Sequence, residues 1–236
     1  MMEKSSAENR VRDNLRRIRI EVAEAAVQAG REPGDVQVMA VTKTVPPELV
    51  NIAIEEGIVL LGENRAQELN SKFDDYQKDG VSIHFIGDLQ TNKVRQIIDK
   101  VNMIQSLDSH RLAKEIEKQA GNRNLIMDVL IEVNIGDEST KSGVPASKAV
   151  DFAQELSQYP HIRLRGFMTI PPICDDIGHL EGYFSQMQQL SVDTALIIRD
   201  NDTIDTLSMG MSGDFALAIK HGATIVRIGT ALFGGR

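Results

Sequence analysis

Val38-Met-Ala-Val-Thr-Lys-Thr-Val-Pro-Pro47 runs from an apolar, β-branched stretch into two prolines, with a lysine at the junction. Such residues fit a strand covered on both faces. Proline is pre-set for the first turn of a helix. The segment therefore reads as a strand ending and a helix beginning, half of a βα unit. The same rhythm continues downstream. Strand-like runs lie at residues 36–42, 58–61, 82–86, 103–105, 125–134, 163–168, 206–208 and 224–228. Helical patterns fall between them at 47–56, 66–76, 93–99, 110–120, 146–158, 180–190 and 213–220, and residues 175–177 and 200–205 read as short loops. Upstream, Val11, Leu15, Ile18 and Val22 recur at helical spacing and predict a leading helix from near Val11 to near Gly30.

Eight such repeats within 236 residues predict an α/β fold: a single (β/α)8 TIM-type barrel with a leading N-terminal helix, one domain over residues 1–236. A doubly wound open sheet is the alternative if a strand has been miscounted. The net charge of −8 argues against nucleic acid or an anionic membrane as partner, since both require a basic surface. It leaves room for a small anion held by a local cluster of donors. Cys174 is the single cysteine, so neither an internal disulfide nor a multi-cysteine metal site is available. The five histidines include no pair at i, i+3 or i+4, and no metal site is expected. The polar start of the chain has no apolar stretch to serve as a signal peptide and no run spans a membrane, so a cytoplasmic location is expected.

Lys43 stands at the C-terminal end of the first strand, the face where barrel active sites lie. Taken by itself it reads first as a solvated strand end. Partly desolvated, it would be a neutral amine able to form a Schiff base. The C-terminal region shifts the balance. Ser208-Met-Gly-Met-Ser-Gly-Asp214 follows the seventh strand, and Val226-Arg-Ile-Gly-Thr230 ends the eighth. Small and hydroxyl residues after strands seven and eight suit a phosphate, and Ser212 reads as a cap for the following helix. A turn with a helix cap explains each loop equally well. Arg227, two positions before Gly229, reads either as a partner for a ring nitrogen or as a structural arginine paired to a carboxylate. Arginine donates but does not release its proton, so a ring nitrogen facing it would stay unprotonated. Together with Lys43, these loops are coherent as a site for pyridoxal 5'-phosphate (PLP).

At these residues the chain resembles the pyridoxal phosphate homeostasis protein family. The resemblance covers nearly the whole chain. It is carried by Ala40-Val-Thr-Lys-Thr44, Gly62-Glu-Asn-Arg-Ala-Gln-Glu68, His84-Phe-Ile-Gly-Asp-Leu-Gln-Thr-Asn-Lys93, Val133-Asn-Ile-Gly-Asp-Glu-Ser-Thr-Lys-Ser-Gly143, Gly166-Phe-Met-Thr169, Leu207-Ser-Met-Gly-Met-Ser212 and Arg227-Ile-Gly-Thr-Ala-Leu-Phe-Gly234. It implies a barrel similar to that of alanine racemase, with Lys43 as the Schiff-base lysine. It also implies that Ser208, Gly229 and Thr230 hold the phosphate, that Arg227 faces the ring nitrogen, and that Asn64 lies close to the cofactor. Met209 and Ser212 are further carried over, as is Lys141 near the ring hydroxyl.

Three functions compete. The first is a PLP-binding homeostasis protein that buffers or delivers the cofactor, with no catalytic residue and with PLP-dependent apo-enzymes as transient partners. The second is a one-domain amino-acid racemase or related enzyme. The third is a barrel that binds another phosphorylated metabolite without covalent attachment. Alanine racemase adds a second, β-rich domain and takes a tyrosine from a partner subunit as its second base. Here the chain is expected to end with the barrel, and Tyr76, Tyr159 and Tyr183 all fall in or beside helical stretches. Two-sided proton transfer needs two bases. The first reading is therefore preferred, with a monomer expected.

Overall fold

The computed structural model describes residues 2–198 and 203–234. Helix α1 (Met2–Gln28) leads into β1 (Gln37–Val41), α2 (Pro47–Glu55), β2 (Leu60–Glu63), α3 (Ala66–Lys72), β3 (Ser82–Phe85), α4 (Thr91–Ile97), β4 (Met103–Leu107) and α5 (His110–Gly121). Then follow β5 (Met127–Asn134), the two-residue β6 (Val144–Pro145), α6 (Ala149–Leu156), β7 (Ile162–Met168), α7 (Ile177–Ile197), β8 (Thr206–Met211), α8 (Phe215–Lys220), β9 (Ile225–Ile228) and α9 (Thr230–Phe233). Every strand pairing is parallel. β4 pairs with β5, and β1 pairs with β9 through Gln37↔Ile225 to Ala40↔Ile228, so the ring β1-β2-β3-β4-β5-β7-β8-β9 closes on itself. This is a (β/α)8 barrel with an N-terminal helix. The open-sheet alternative is excluded because the ring has no free edge.

Side chains along a strand alternate between its two faces. On β1, Met39 and Val41 point into the ring, where they meet Leu60, Ile86 and Ile225. Ala40 belongs to the larger cluster between strands and helices, with Leu61, Phe85, Val226 and Ile228. Position 43 continues the inward series 39, 41, which carries Lys43 to the mouth of the barrel. Positions 225, 227 and 229 follow the same parity on β9. The ring is shaped by a bulge in β7, where the pairing Val129↔Leu164 jumps to Leu130↔Gly166. Gly166 sits at φ 143°, and a Cβ there would lie 1.9 Å from Thr206 O, so no other residue fits.

Several boundaries differ from the expectation. Helix α1 begins at Met2 rather than near Val11, since charged residues propagate a helix without contributing an apolar face. Its buried Val11, Leu15, Ile18 and Val22 anchor it to the barrel at about 1.5–3 kcal/mol each for the larger side chains. The stretch expected to be helical from 146 starts with a 3₁₀ turn after β6, and α6 begins at Ala149. Helix α7 starts earlier than expected, where Asp176 caps it by accepting from Gly178 N at 2.7 Å, and runs on to Ile197. Residues 200–202 of the expected loop lie outside the described residues. Among those described, no helix is long and apolar enough to cross a membrane.

Candidate functional site

A cavity of about 470 Å³ opens at the C-terminal face of the barrel, between the ends of β1, β2, β8 and β9. Six of the residues singled out in the sequence line it: Lys43, Asn64, Ser212, Arg227, Gly229 and Thr230. They come from four separate segments, and ring closure between β9 and β1 is what makes Arg227 and Lys43 neighbours. Sequence reasoning missed the apolar walls, Ile86, Ile170, Met211 and Phe233 among them. Ile86 shares the inward parity of His84 one step past β3, a signal available from the strand period.

Lys43 is exposed. It is the solvated strand end that the sequence suggests first, not the partly desolvated amine. Its neighbours are tightly held instead. Thr42 is fully buried, and its Oγ1 donates to Glu63 Oε1 at 2.6 Å, an oxygen that also accepts from Tyr76 OH at 2.6 Å. Burial raises the Glu63 carboxyl above the ordinary carboxylate range, while these two hydrogen bonds act in the opposite direction. Thr44 has φ 61°, a left-handed conformation that costs a β-branched residue energy.

Arg227 is the electrostatic feature of the site. Its guanidinium is buried, with Nη1 donating to Ser208 O at 2.7 Å and Ser208 Oγ at 3.0 Å, and Nη2 donating to Thr169 O at 2.7 Å. All three acceptors are neutral. Among the described residues no carboxylate lies within ion-pair distance, so the carboxylate-paired alternative does not apply. Burial pushes the guanidinium down to about 10, with only distant help from Asp214 and Glu132. Buried charges ordinarily have a counter-charge. Asn64, half-buried on the loop after β2, presents a buried Oδ1 that has no hydrogen-bond partner among the described residues. That loop is backed by Gly87, where a Cβ would stand 2.1 Å from Asn64 O.

The phosphate-type loops are arranged differently from the expectation in two respects. Ser212 does not cap α8, whose N-cap is Asp214; its Oγ accepts from Ala231 N at 3.4 Å and ties the β8 loop to the first turn of α9. Ser208 is fully buried below the cavity as the support of Arg227, and Met209 points away into the helix-facing core. Neither lines the cavity. Lys141 also lies outside it: exposed on the loop after β5, it pairs with Glu138 and approaches Pro171 O at 3.5 Å. The amine, the buried guanidinium held by neutral acceptors, the buried amide oxygen and the hydroxyl-bearing turns suit a small molecule with an anionic tail and a carbonyl group.

The profile of the family "alanine racemase, N-terminal domain" matches residues 10–236. The pyridoxal phosphate homeostasis protein of Aquifex aeolicus is 41% identical over 224 residues, covering 95% of this chain and 97% of that protein. The chain belongs to the pyridoxal phosphate homeostasis protein family. Solved structures agree with that membership. A crystal structure of an unknown protein from Bifidobacterium adolescentis superposes with a TM-score of 0.89 at 34% identity, covering 96% of each chain. PipY of Synechococcus elongatus, solved with PLP bound, gives a TM-score of 0.78 at 29% identity, covering 90% of this chain and 100% of that one. The family resemblance seen in the sequence motifs thus holds across the whole barrel.

Proposed function

We propose that this chain holds pyridoxal 5'-phosphate at the barrel mouth through Lys43 and acts in intracellular PLP homeostasis, buffering or delivering the cofactor. The observation that carries the reading is a buried guanidinium that has no counter-ion among the described residues, on the wall of the cavity that Lys43 lines. The PLP-bound relative and the names of the curated relatives support it. When bound, PLP supplies an aldehyde that combines with amines and an electron-withdrawing pyridine ring. Lys43 provides the amine. Ser212, Gly229 and Thr230 would take the phosphate, Arg227 would meet the ring nitrogen, and Asn64 would orient the ring edge. Ser208 holds Arg227 in place. Met209 packs behind β8 and shapes the site from there.

Arg227 donates a hydrogen bond and keeps its proton, so it withholds the ring protonation on which carbanion chemistry depends. No tyrosine lines the cavity. Tyr76 is committed to Glu63. A second base for racemisation is therefore missing among the lining residues, and the mouth is open to water around Lys43. Both features favour a carrier over an enzyme. We extend the proposal to a single domain over residues 1–236, a monomer in the cytoplasm, with apo-enzymes as transient recipients.

Borohydride reduction after mixing with PLP, followed by peptide mass spectrometry, tests the anchor. The expected result is a pyridoxyl adduct on Lys43 and a visible absorbance that Lys43→Ala abolishes. An adduct elsewhere, or an unchanged spectrum in Lys43→Ala, would overturn it. Lys43-dependent deuterium exchange at an amino acid's α-carbon, at about 1 per second or faster, would favour the racemase instead.

A further inference from the structure

The peptide that carries Lys43 is gripped on both sides by one helix. Helix α3 presents Glu68 and Lys72, one turn apart. Lys72 Nζ donates to Thr42 O at 3.2 Å, and Glu68 Oε1 accepts from the Thr44 N–H. The two side chains also form an ion pair with each other, and both are largely buried, at 13% exposure for Lys72 and 15% for Glu68. The residue before Lys43 and the residue after it are thus tied to a single acid–base pair. Thr44 is the residue in the left-handed conformation, and its amide is the one Glu68 accepts. Such a conformation persists in a β-branched residue only where the surroundings impose it. Burial alone would push the Glu68 carboxyl up, yet the bonds from Lys72 and Thr44 hold it below its ordinary value, so the ionised form grips the peptide. Helical ion pairs of this spacing contribute only about 0.3–0.5 kcal/mol when exposed.

We propose that Glu68 and Lys72 are positioning residues for Lys43, fixing the peptide of residues 42–44 so that the amine meets an aldehyde seated in the cavity. The proposal rests on the reading of Lys43 as the covalent anchor. In that step the free amine nitrogen of Lys43 adds to the aldehyde carbon. The C=N bond forms, the C=O bond breaks, and the oxygen leaves as water with both amine hydrogens. Because no burial fixes the exposed Lys43 side chain, the orientation of its backbone sets where the amine's reach is centred. Misplacement by about 1 Å costs roughly a hundredfold in rate.

The test compares the full chain with Glu68→Leu, Lys72→Met and Glu68→Gln. One measurement is the rate of appearance of the visible absorbance on mixing with PLP, with borohydride trapping to count adducts on Lys43. The other is the affinity for pyridoxine 5'-phosphate, which has the phosphate and ring but no aldehyde. The expected result is capture slowed by about ten- to a hundredfold in Glu68→Leu and Lys72→Met, with affinity for the aldehyde-free analogue unchanged. Glu68→Gln keeps an acceptor for Thr44 N–H and should recover part of the rate. Capture at the parental rate in the variants would overturn the positioning role. So would a loss of analogue affinity in proportion to the loss of capture, which marks a general structural defect. A parent protein with no adduct on Lys43 would instead sink the underlying cofactor reading.

Discussion

Replacing Arg227 by methionine removes a buried charge while keeping most of its volume. Two opposing effects act on the unliganded protein. Burial pushes the guanidinium well below its ordinary range, to about 10, which places a penalty of about 3 kcal/mol on the charged form. Methionine relieves it. Against that, Thr169 O loses its donor at 2.7 Å, and a buried acceptor left short costs about 1–3 kcal/mol. Ser208 O also loses Nη1 but keeps the Thr169 N–H at 3.2 Å. The variant should therefore unfold within about 2 kcal/mol of the parent. PLP affinity should fall whatever the sign of the stability change, because a hydrogen bond from a charged donor contributes about 1.5–3 kcal/mol, roughly ten- to 150-fold in Kd. Urea denaturation without ligand and an absorbance titration with PLP measure the two quantities separately. A variant that loses more than about 4 kcal/mol of stability yet binds PLP at the parental Kd would refute the reasoning. Arg227 would then be a structural strut and nothing more.

Acid should weaken the barrel through His84, a buried imidazole in contact with Gln105 Nε2 at 2.9 Å. Burial pushes it down to about 4 from 6.5, so between those pH values the unfolded chain takes up a proton that the folded barrel refuses. Stability is unaffected by this group above pH 6.5 and falls by about 3 kcal/mol as pH drops to 4; His84→Gln should flatten that part of the curve, and an equally steep loss in both proteins would exclude His84 as the cause. Thr44→Gly removes a left-handed β-branched residue and should raise unfolding free energy by up to about 1 kcal/mol, while slowing capture of PLP; a lower melting temperature would show that Thr44 is unstrained. Gly166→Ala would drive a Cβ to 1.9 Å from Thr206 O and should cost about 3 kcal/mol or more in urea denaturation; a change under about 1 kcal/mol would mean the β7 bulge relaxes freely.

Periodicity carried the barrel. Apolar runs bounded by turn residues, repeated eight times, are a local pattern that parallel pairing turns directly into a ring. The placement of Lys43 and of the two C-terminal loops at the mouth was legible for the same reason, since strand ends in a barrel all deliver side chains to one face. Other features depend on distance rather than on pattern. The alternation of β8 and β9 does not say that Ser208 accepts from Arg227; that is seen only in the 3.0 Å contact between them. The role of Ser212 turned on Ala231, nineteen residues away, rather than on the helix that follows it. The exposure of Lys43, and the grip of Glu68 and Lys72 on its neighbours, arise from where α3 packs. Hydrophobic spacing alone determined which residues line up along each element and which end of each strand faces the mouth. Only closure of the ring decided which of them touch, because side-chain contacts a few ångströms long depend on the packing of elements far apart in the chain.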